Sequence, residues 1–312
     1  MTAVEATASG PTAAPPPPPR RPRGPRPGRG YRIFQVANAA FLTGVVVVTL
    51  FPFVNIVARS FSQERYIVTG KVTLWPKGFT VQTYGHVMSD PMFWINYRNT
   101  VFYTVVATVV SMVLTTSYAY VLSKRQLRGR PVLIGIALFT MFFNGGLIPN
   151  YVLVSALGLR NSVWAIALPN AISVFNLLVM KSFFESLPGE LEEASAVDGL
   201  GTYGTLLRVV LPLSKAMIAT MILFYAVSFW NSWFAAFLYL DRLDLLPVTM
   251  YLRNIISGLT GTDVSMSSDT ALQIQANVKA VAVVLTCLPI TLVYPFIQRY
   301  FVSGVLLGAV KG

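Results

Sequence analysis

The residues best suited to bind another molecule form an acidic segment between two strongly apolar stretches. The chain has 12 acidic residues among 312. Several of them fall in or just before residues 186–212, namely Glu185, Glu190, Glu192, Glu193 and Asp198. Clustered carboxylates accept strong hydrogen bonds from the cationic and amide groups of a partner. Because the segment is too polar to cross a bilayer, it predicts a surface that docks on another protein.

Two short helices around a glycine hinge are predicted for this segment. Ser186 is expected to cap the first helix ahead of Pro188, with the acids facing the positive helix end. Gly199 allows the left-handed conformation in which that helix ends. Thr202 is expected to cap the second helix, which Pro212 then ends or bends.

No catalytic or metal-binding group of residues accompanies the acidic segment. The sequence has one histidine, His86, and one cysteine, Cys287, which excludes a multi-histidine site and a disulfide framework. It contains no G-x-x-x-x-G-K-[ST] loop, so ATP hydrolysis by that route is excluded. The chain is therefore expected not to be an enzyme and to carry no cofactor of its own.

Neutral polar and aromatic residues inside the apolar stretches are the candidates for contact with a transported solute. Trp230, Asn231 and Trp233 lie together, and Asn144 stands beside a glycine pair. Aromatic faces stack on sugar rings and amides bond hydroxyls, so these groups suit a carbohydrate path. Helix packing and contact with lipid headgroups are the alternatives for the same residues.

The composition places the chain in a membrane, since 54% of its residues are hydrophobic and 12% are charged. Apolar stretches long enough for a bilayer core of roughly 20 residues occur at about 33–58, 99–122, 132–155, 163–182, 214–240 and 277–300. The third contains a break at residues 144–146, of the kind that faces other protein or water. The predicted fold is an all-α membrane protein with six transmembrane helices.

The distribution of basic residues orients these helices. The net charge is +12, and an N-in/C-in arrangement puts the basic residues 20–32 and the cluster at 124–130 in the cytoplasm. The same arrangement puts the acidic segment there. The basic excess is therefore a topology signal, and nucleic acid is not an expected partner.

The chain divides into two parts by composition. Residues 1–30 are rich in proline and arginine, which predicts a disordered cytoplasmic arm. Binding to anionic lipid and a purely solubilising role are both open for this arm. Residues 31–312 form the transmembrane domain.

The acidic segment resembles the EAA loop of permeases from binding-protein-dependent ABC importers. The family pattern is E-A-A, three residues, G, nine residues and I-x-L-P. The matching residues here are Glu193-Ala194-Ser195, Gly199 and Val209-x-Leu211-Pro212. Ser195 stands for the second alanine and Val209 for the isoleucine. The resemblance implies a cytoplasmic loop, at residues 186–212, that docks in a cleft of an ATP-hydrolysing subunit.

The resemblance also implies an assembly and a set of docking residues. The family has a type I ABC importer permease architecture, with a second related permease, two ATPase subunits that bind ATP and Mg²⁺, and an extracytoplasmic solute-binding protein. The implied location is the bacterial plasma (inner) membrane, with several spans in contact with lipid. The residues implied in docking or coupling are Glu192, Glu193, Ala194, Ser195, Asp198, Gly199, Leu211 and Pro212.

Other segments resemble the carbohydrate branch of this family, the maltose-permease-like subunits that move oligosaccharides, complex or acidic ones among them. These segments are Leu74-Trp75-Pro76-x-Gly78-Phe79-Thr80, Arg98-Asn99-Thr100, Gly145-Gly146-Leu147-Ile148-Pro149 and Trp230-Asn231-Ser232-Trp233. The resemblance implies ATP-driven import of oligosaccharides, in which closure of the partner ATPase drives alternating access.

Three alternatives stay open at this point: an ABC importer permease for a non-sugar solute, a self-sufficient secondary transporter, and a membrane-embedded enzyme. A secondary transporter predicts a charged residue in the middle of a span and internal repeats, and the sequence shows neither. Co-purification of an ATPase subunit separates both importer hypotheses from the others.

Overall fold

The computed structural model describes residues 28–257 and 276–292. The predicted arm at 1–30 lies outside these residues except for its last three. The first helix crosses the boundary between two compact units, Met1–Phe51 and Pro52–Gly312. In the described ranges the backbone is mostly helical, and its β-pairing is one isolated bridge between Ser62 and Phe79.

The helices are numbered here in chain order. They are α1 Arg29–Ser60, α2 Glu64–Val68, α3 Gln82–Ser89, α4 Pro91–Ser123, α5 Arg130–Phe142, α6 Leu147–Ala156, α7 Trp164–Ala167, α8 Val174–Glu185, α9 Glu190–Val197, α10 Thr202–Thr205, α11 Leu211–Leu213, α12 Lys215–Trp230, α13 Phe234–Tyr239, α14 Val248–Ser257 and α15 Ala276–Leu292. A π-helical turn, Leu206–Val210, joins α10 to α11, and a 3₁₀ turn, Leu243–Leu245, precedes α14.

Helix α4 is the centre of the second unit, since α7, α8, α12 and α14 all pack against it. Its buried face carries Ala107 and Ala119, small residues that let neighbouring helices approach closely. At one end of α4, Leu122 packs with Met180 of α8 and Met221 of α12. At the other end, Phe93 joins a separate cluster with α14 and α15.

Helix α4 begins earlier than the predicted boundary at residue 99. Asp90 caps it by accepting a hydrogen bond from the Met92 amide at 2.8 Å, and Pro91 occupies a first-turn position that needs no donor. An aromatic stretch, which contains Phe93 and Trp94, follows in the first turn of α4. It is helical because Phe93 is buried against Tyr251 of α14, a contact that is remote in sequence.

Three of the predicted spans are broken, and the break in the one at 214–240 lies between α12 and α13. Helices α5 and α6 meet at an angle of 113° across the predicted break, where Gly146 has φ +92°. The stretch predicted at 163–182 is not one helix: α7 ends at Ala167 and α8 begins at Val174. Pro169 lies between them and interrupts the backbone hydrogen bonding of a continuous helix.

Two described helices, α1 and α4, are individually long and apolar enough to cross a membrane. Up to four crossings result if each bent pair, α5 with α6 and residues 202–213 with α12, is one span. Helix α15 is apolar but shorter within the described residues, and the end of the predicted sixth span, up to 300, lies outside them. The six-span N-in/C-in topology stays a prediction.

A further helix, α14, lies between the stretches predicted as the fifth and sixth spans. Helix α14 buries Val248, Tyr251 and Ile255 against Phe93 and Val281. It was missed because a short helix with one apolar face has a low average hydropathy.

Candidate coupling loop and solute path

The acidic segment forms two helices around a turn, as the sequence predicts, but with different caps. The Ser186 hydroxyl donates to the Phe183 carbonyl at 2.7 Å, so Ser186 ends α8 instead of starting α9. Helix α9 begins after Gly189, and Thr202 is the first residue of α10 instead of its cap. The predicted caps were wrong because α8 continues to Glu185, beyond the end of the apolar stretch.

Gly199 fixes the direction of the turn between α9 and α10. Its φ is +77°, in the left-handed region where a side chain is strained. The Gly199 amide donates to the Ala196 carbonyl at 3.1 Å, and the Leu200 amide donates to the Ser195 carbonyl at 2.9 Å. These bonds close the C-terminal end of α9, as is common where a glycine follows a helix.

Ser195 links the two helices of the loop. Its side chain is buried, its hydroxyl donates to the Glu192 carbonyl at 2.7 Å, and it lies 2.8 Å from the Thr205 hydroxyl of α10. The serine that departs from the family's E-A-A pattern therefore makes a contact that alanine does not.

The loop is attached by ion pairs to the basic segment that follows α4. Lys124 binds Glu192 of α9 and also lies over the Tyr120 ring, 3.8 Å from its centroid. Arg130, at the start of α5, binds Glu185 at the end of α8. The sequence indicated these basic residues only as topology signals. Their pairing was missed, although an acidic and a basic loop on one membrane side are a signal for it.

The face of the loop that points away from these ion pairs is exposed in this chain. Glu193, Ala194 and Asp198 are exposed, and so are the large apolar side chains of Val197, at 88%, and Tyr203, at 78%. Exposed apolar groups among acidic residues are typical of a protein-binding surface.

The last two residues of the motif lie where the loop meets the bundle. Leu211 packs against the core cluster that contains Met221, whereas Pro212 is exposed. Just after them, at Ser214, the chain bends by 88° into α12. The loop is therefore joined to α12 by a short, sharply bent connection.

The three solute-path candidates near residue 230 lie at the break between α12 and α13. Trp230 is buried, with its Nε1 donating to the Thr286 carbonyl at 3.2 Å. Asn231 is exposed and donates to the Val227 carbonyl at 2.9 Å. Trp233 is 42% exposed and packs against Phe237 on the same face of α13.

Asn144 lies at the other break, between α5 and α6. It is exposed, and its Oδ1 accepts a hydrogen bond from the Gly146 amide at 3.0 Å. Its side-chain oxygen therefore stabilises the turn that makes the 113° bend, while its side-chain NH₂ group stays exposed.

A cavity of about 370 Å³ lies at the end of the bundle remote from the coupling loop, lined in part by Arg98, Phe102 and Asn161. Beside it, Asn161 and Arg160 both bind Asp241, and the Arg160 bond is 2.8 Å long. Asn99 and Thr100 belong to one of the sugar-branch segments. The Asn99 side chain donates to the Asp244 carbonyl before α14, and the Thr100 hydroxyl accepts a hydrogen bond from the amide of Val248, the first residue of α14.

Residues 92–306 match the family described as "Binding-protein-dependent transport system inner membrane component". The chain belongs to this family. It is a multi-pass inner-membrane permease of the ABC importer type, a non-catalytic subunit by family, and the matched residues include the entire coupling loop.

Relatives match the chain over nearly its whole length. Protein LplC of Bacillus subtilis is 42% identical over 90% of this chain and 96% of that protein. The polygalacturonan/rhamnogalacturonan transport system permease protein YtcP of the same organism is 39% identical, over 90% of this chain and 99% of that protein. A solved chain of a bacterial ABC transporter that imports the acidic polysaccharide alginate superposes with a TM-score of 0.81, at 34% identity, over 89% of this chain and 99% of that one.

Proposed function

We propose that this chain is the membrane-spanning subunit of an ATP-driven importer for oligosaccharides, and that residues 186–212 couple a partner ATPase to the spans. The observation that carries the proposal is the geometry of this loop. One side of it is held to the bundle by the Lys124–Glu192 ion pair, and the other side exposes acidic and apolar residues such as Val197.

The loop supports coupling because it is both accessible and mechanically attached. The exposed residues of α9 and α10 offer a partner an apolar contact surrounded by carboxylates. The Lys124 ion pair connects the loop to the end of α4, and the Arg130 ion pair connects Glu185, the residue just before the loop, to the start of α5, so a movement of a docked ATPase is transmitted to those helices. Leu211 gives a second connection, into the core beside α12.

The proposed substrate class rests on the relatives. One relative is named as a permease of polygalacturonan and rhamnogalacturonan transport, and the similar solved structure belongs to an importer of alginate. Both similarities cover about nine-tenths of this chain. The exposed Asn231 and Trp233 supply an amide and an aromatic ring, which are the groups that bind sugar hydroxyls and ring faces.

The proposed assembly follows the family. It contains this chain, a second related permease, two ATPase subunits that bind ATP and Mg²⁺, and a solute-binding protein outside the membrane. The proposed topology is six spans with both termini in the cytoplasm. It is supported by the contacts of the acidic loop with Lys124 and Arg130, since these contacts require both segments to lie on one side of the membrane.

The test is ATPase activity of the purified complex in nanodiscs, with the binding protein either empty or loaded from a panel of oligosaccharides. We expect one or more loaded sugars to stimulate hydrolysis. Failure of an ATPase subunit to co-purify would contradict the coupling role. Stimulation only by a binding protein loaded with peptide or polyamine would contradict the substrate class and favour the non-sugar importer.

A further inference from the structure

A cation lies over the aromatic rings of the solute-path region. Arg253 projects from α14, and its Cζ is 4.4 Å from the centroid of Phe237 and 5.4 Å from that of Trp233. The two rings are one helical turn apart on α13, and they are 47% and 42% exposed. One guanidinium and two rings of α13 thus form a shared surface, which we call the Arg253 cluster.

The guanidinium of this cluster is held in place by the two rings, and no described carboxylate neutralises it. Within residues 28–257 and 276–292, the acids that pair with a cation do so with Lys124, Arg130, Arg160, Lys181 and Arg242, and none pairs with Arg253. Contact with ring faces favours the cation electrostatically and leaves the N–H groups at its edge free. Those N–H groups have the spacing that binds a carboxylate through two parallel hydrogen bonds.

The position of the cluster points to a solute. It adjoins the break between α12 and α13, and irregular backbone within an apolar segment is tolerated where it faces protein or a water-filled path. Asn231, in that break, is exposed and lies two residues before Trp233. These three groups together match a sugar ring that bears a carboxylate. The cation binds the carboxylate, the partly exposed tryptophan stacks on the ring, and the amide binds hydroxyl groups.

We propose that Arg253, Trp233 and Phe237 form a subsite for a uronate residue of the transported oligosaccharide. Arg253 binds the carboxylate, and Trp233 packs against the face of the pyranose ring. The inference rests on the proposed oligosaccharide function and adds to it an acidic substrate class and the residues that select it.

The test uses the complete importer in proteoliposomes with two probe pairs. The first pair is trigalacturonate and its carboxyl-reduced neutral counterpart, and the second is triguluronate and its reduced counterpart. Uptake is measured as KM and maximal rate at several salt concentrations. The reduced sugars keep the ring and hydroxyl groups, so each pair isolates the contribution of the carboxylates.

For Arg253→Gln we expect the KM of the uronate to rise about tenfold or more, as for loss of a charge-assisted hydrogen-bonded pair. The KM of any neutral counterpart that is transported should not change. Arg253→Lys should give an intermediate value, because it keeps the charge but loses the planar pair of donors. Trp233→Leu should weaken uptake of acidic and neutral sugars alike, because stacking does not depend on charge.

A matched control is Arg242→Gln, which removes a charge from an exposed arginine that binds Asp244 outside the cluster. It should leave both probe pairs unchanged. Each variant is checked for assembly with its partners and for basal ATPase activity, so that a folding defect is distinguished from a loss of selectivity.

The outcomes separate this inference from the proposed function. Equal uptake of the uronate by wild type and Arg253→Gln would overturn the subsite and leave the proposed oligosaccharide import intact. Import of only the neutral sugars by wild type would have the same meaning. Import of no sugar in any panel overturns both. If Asp263→Asn or Asp269→Asn reproduces the Arg253→Gln effect, the arginine serves an internal ion pair and the subsite is again overturned.

Discussion

The hydroxyl groups of Ser195 and Thr205 lie 2.8 Å apart and join the two helices of the coupling loop. Ser195 is buried, and since its single hydroxyl hydrogen goes to the Glu192 carbonyl, the Thr205 hydroxyl donates in the bond between the two. A displacement of α9 therefore reaches α10 through a direct side-chain contact as well as through the glycine turn.

Ser195→Ala removes this contact while restoring the residue of the family pattern. We expect a loss of about 1 kcal/mol of local stability, the usual net value of one neutral hydrogen bond, and amide exchange in residues 190–205 about fivefold faster. Hydrogen exchange measured on the complex in nanodiscs checks this. Thr205→Val combined with Ser195→Ala should add little, because the first change has already removed the bond.

Ser186→Ala is the matched control, since its hydroxyl bonds the Phe183 carbonyl at the end of α8. It should leave exchange in residues 190–205 unchanged. Equal exchange rates in wild type and Ser195→Ala would show that the hydroxyl pair does not hold the helices together.

Reversing one charge of the Lys124–Glu192 pair should uncouple ATP hydrolysis from transport. The side chains of Lys124 and Glu192 are 27% and 42% exposed. The net contribution of such a pair to stability is therefore about 0.2–1 kcal/mol. We expect Lys124→Glu or Glu192→Lys alone to lower sugar transported per ATP by about two- to fivefold. The double swap should recover most of the loss, because it restores the attraction.

The neighbouring Arg125→Glu makes the same charge change at an exposed arginine and serves as the control for surface charge. If it lowers coupling as much as Lys124→Glu does, or if the double swap recovers nothing, the ion pair is not the connection between loop and bundle.

Gly199→Asp should uncouple the ATPase without preventing membrane insertion. The φ of +77° makes any side chain strained, and the added carboxylate lies on the exposed side of the loop. Gly199→Asn has nearly the same shape and tolerates the left-handed conformation, so it separates strain from charge. We expect uptake to fall in the order wild type, Gly199→Asn, Gly199→Asp. Wild-type uptake in Gly199→Asp would contradict the role of this turn.

Glu64 should make stability depend on pH. Its Oε2 accepts a hydrogen bond from the Asn277 amide of α15 at 3.2 Å, and its Oε1 is buried without a partner among the described residues. Burial raises the pKa of this carboxyl from 4.5 to about 7, against a smaller lowering by the Asn277 amide. Below pH 4.5, the pKa of this carboxyl in the unfolded chain, both the folded and the unfolded states hold the proton. As pH rises from 4.5 to about 7, the unfolded chain releases it first, so the folded state loses relative stability.

Glu64→Gln removes this titration. We expect the melting temperature of the complex to fall less between about pH 5 and pH 8 in the variant than in wild type. Glu190→Gln, at an exposed carboxylate of the coupling loop, is the control and should follow wild type. Parallel pH curves for Glu64→Gln and wild type would show that Glu64 does not titrate in this range.

Local features of the chain were predictable because their causes are local. The apolar stretch that forms α1, the break at Asn144 and the helix-turn-helix around Gly199 each follow from hydropathy or from the conformational range of a few residues. Helix ends were less predictable. The Ser186 cap and the start of α4 were wrong because neighbouring helices extend these elements past the end of their apolar pattern.

By itself, the sequence determined the family, the membrane location and the position of the acidic helix-turn-helix, because hydropathy, charge bias and motif spacing are properties of short stretches. The tertiary structure decided which groups act together: Lys124 with Glu192, and Arg253 with Trp233. These partners are separated along the chain, and a hydropathy pattern does not specify which side chain of one helix meets which side chain of another. Packing around α4 brings them within contact distance.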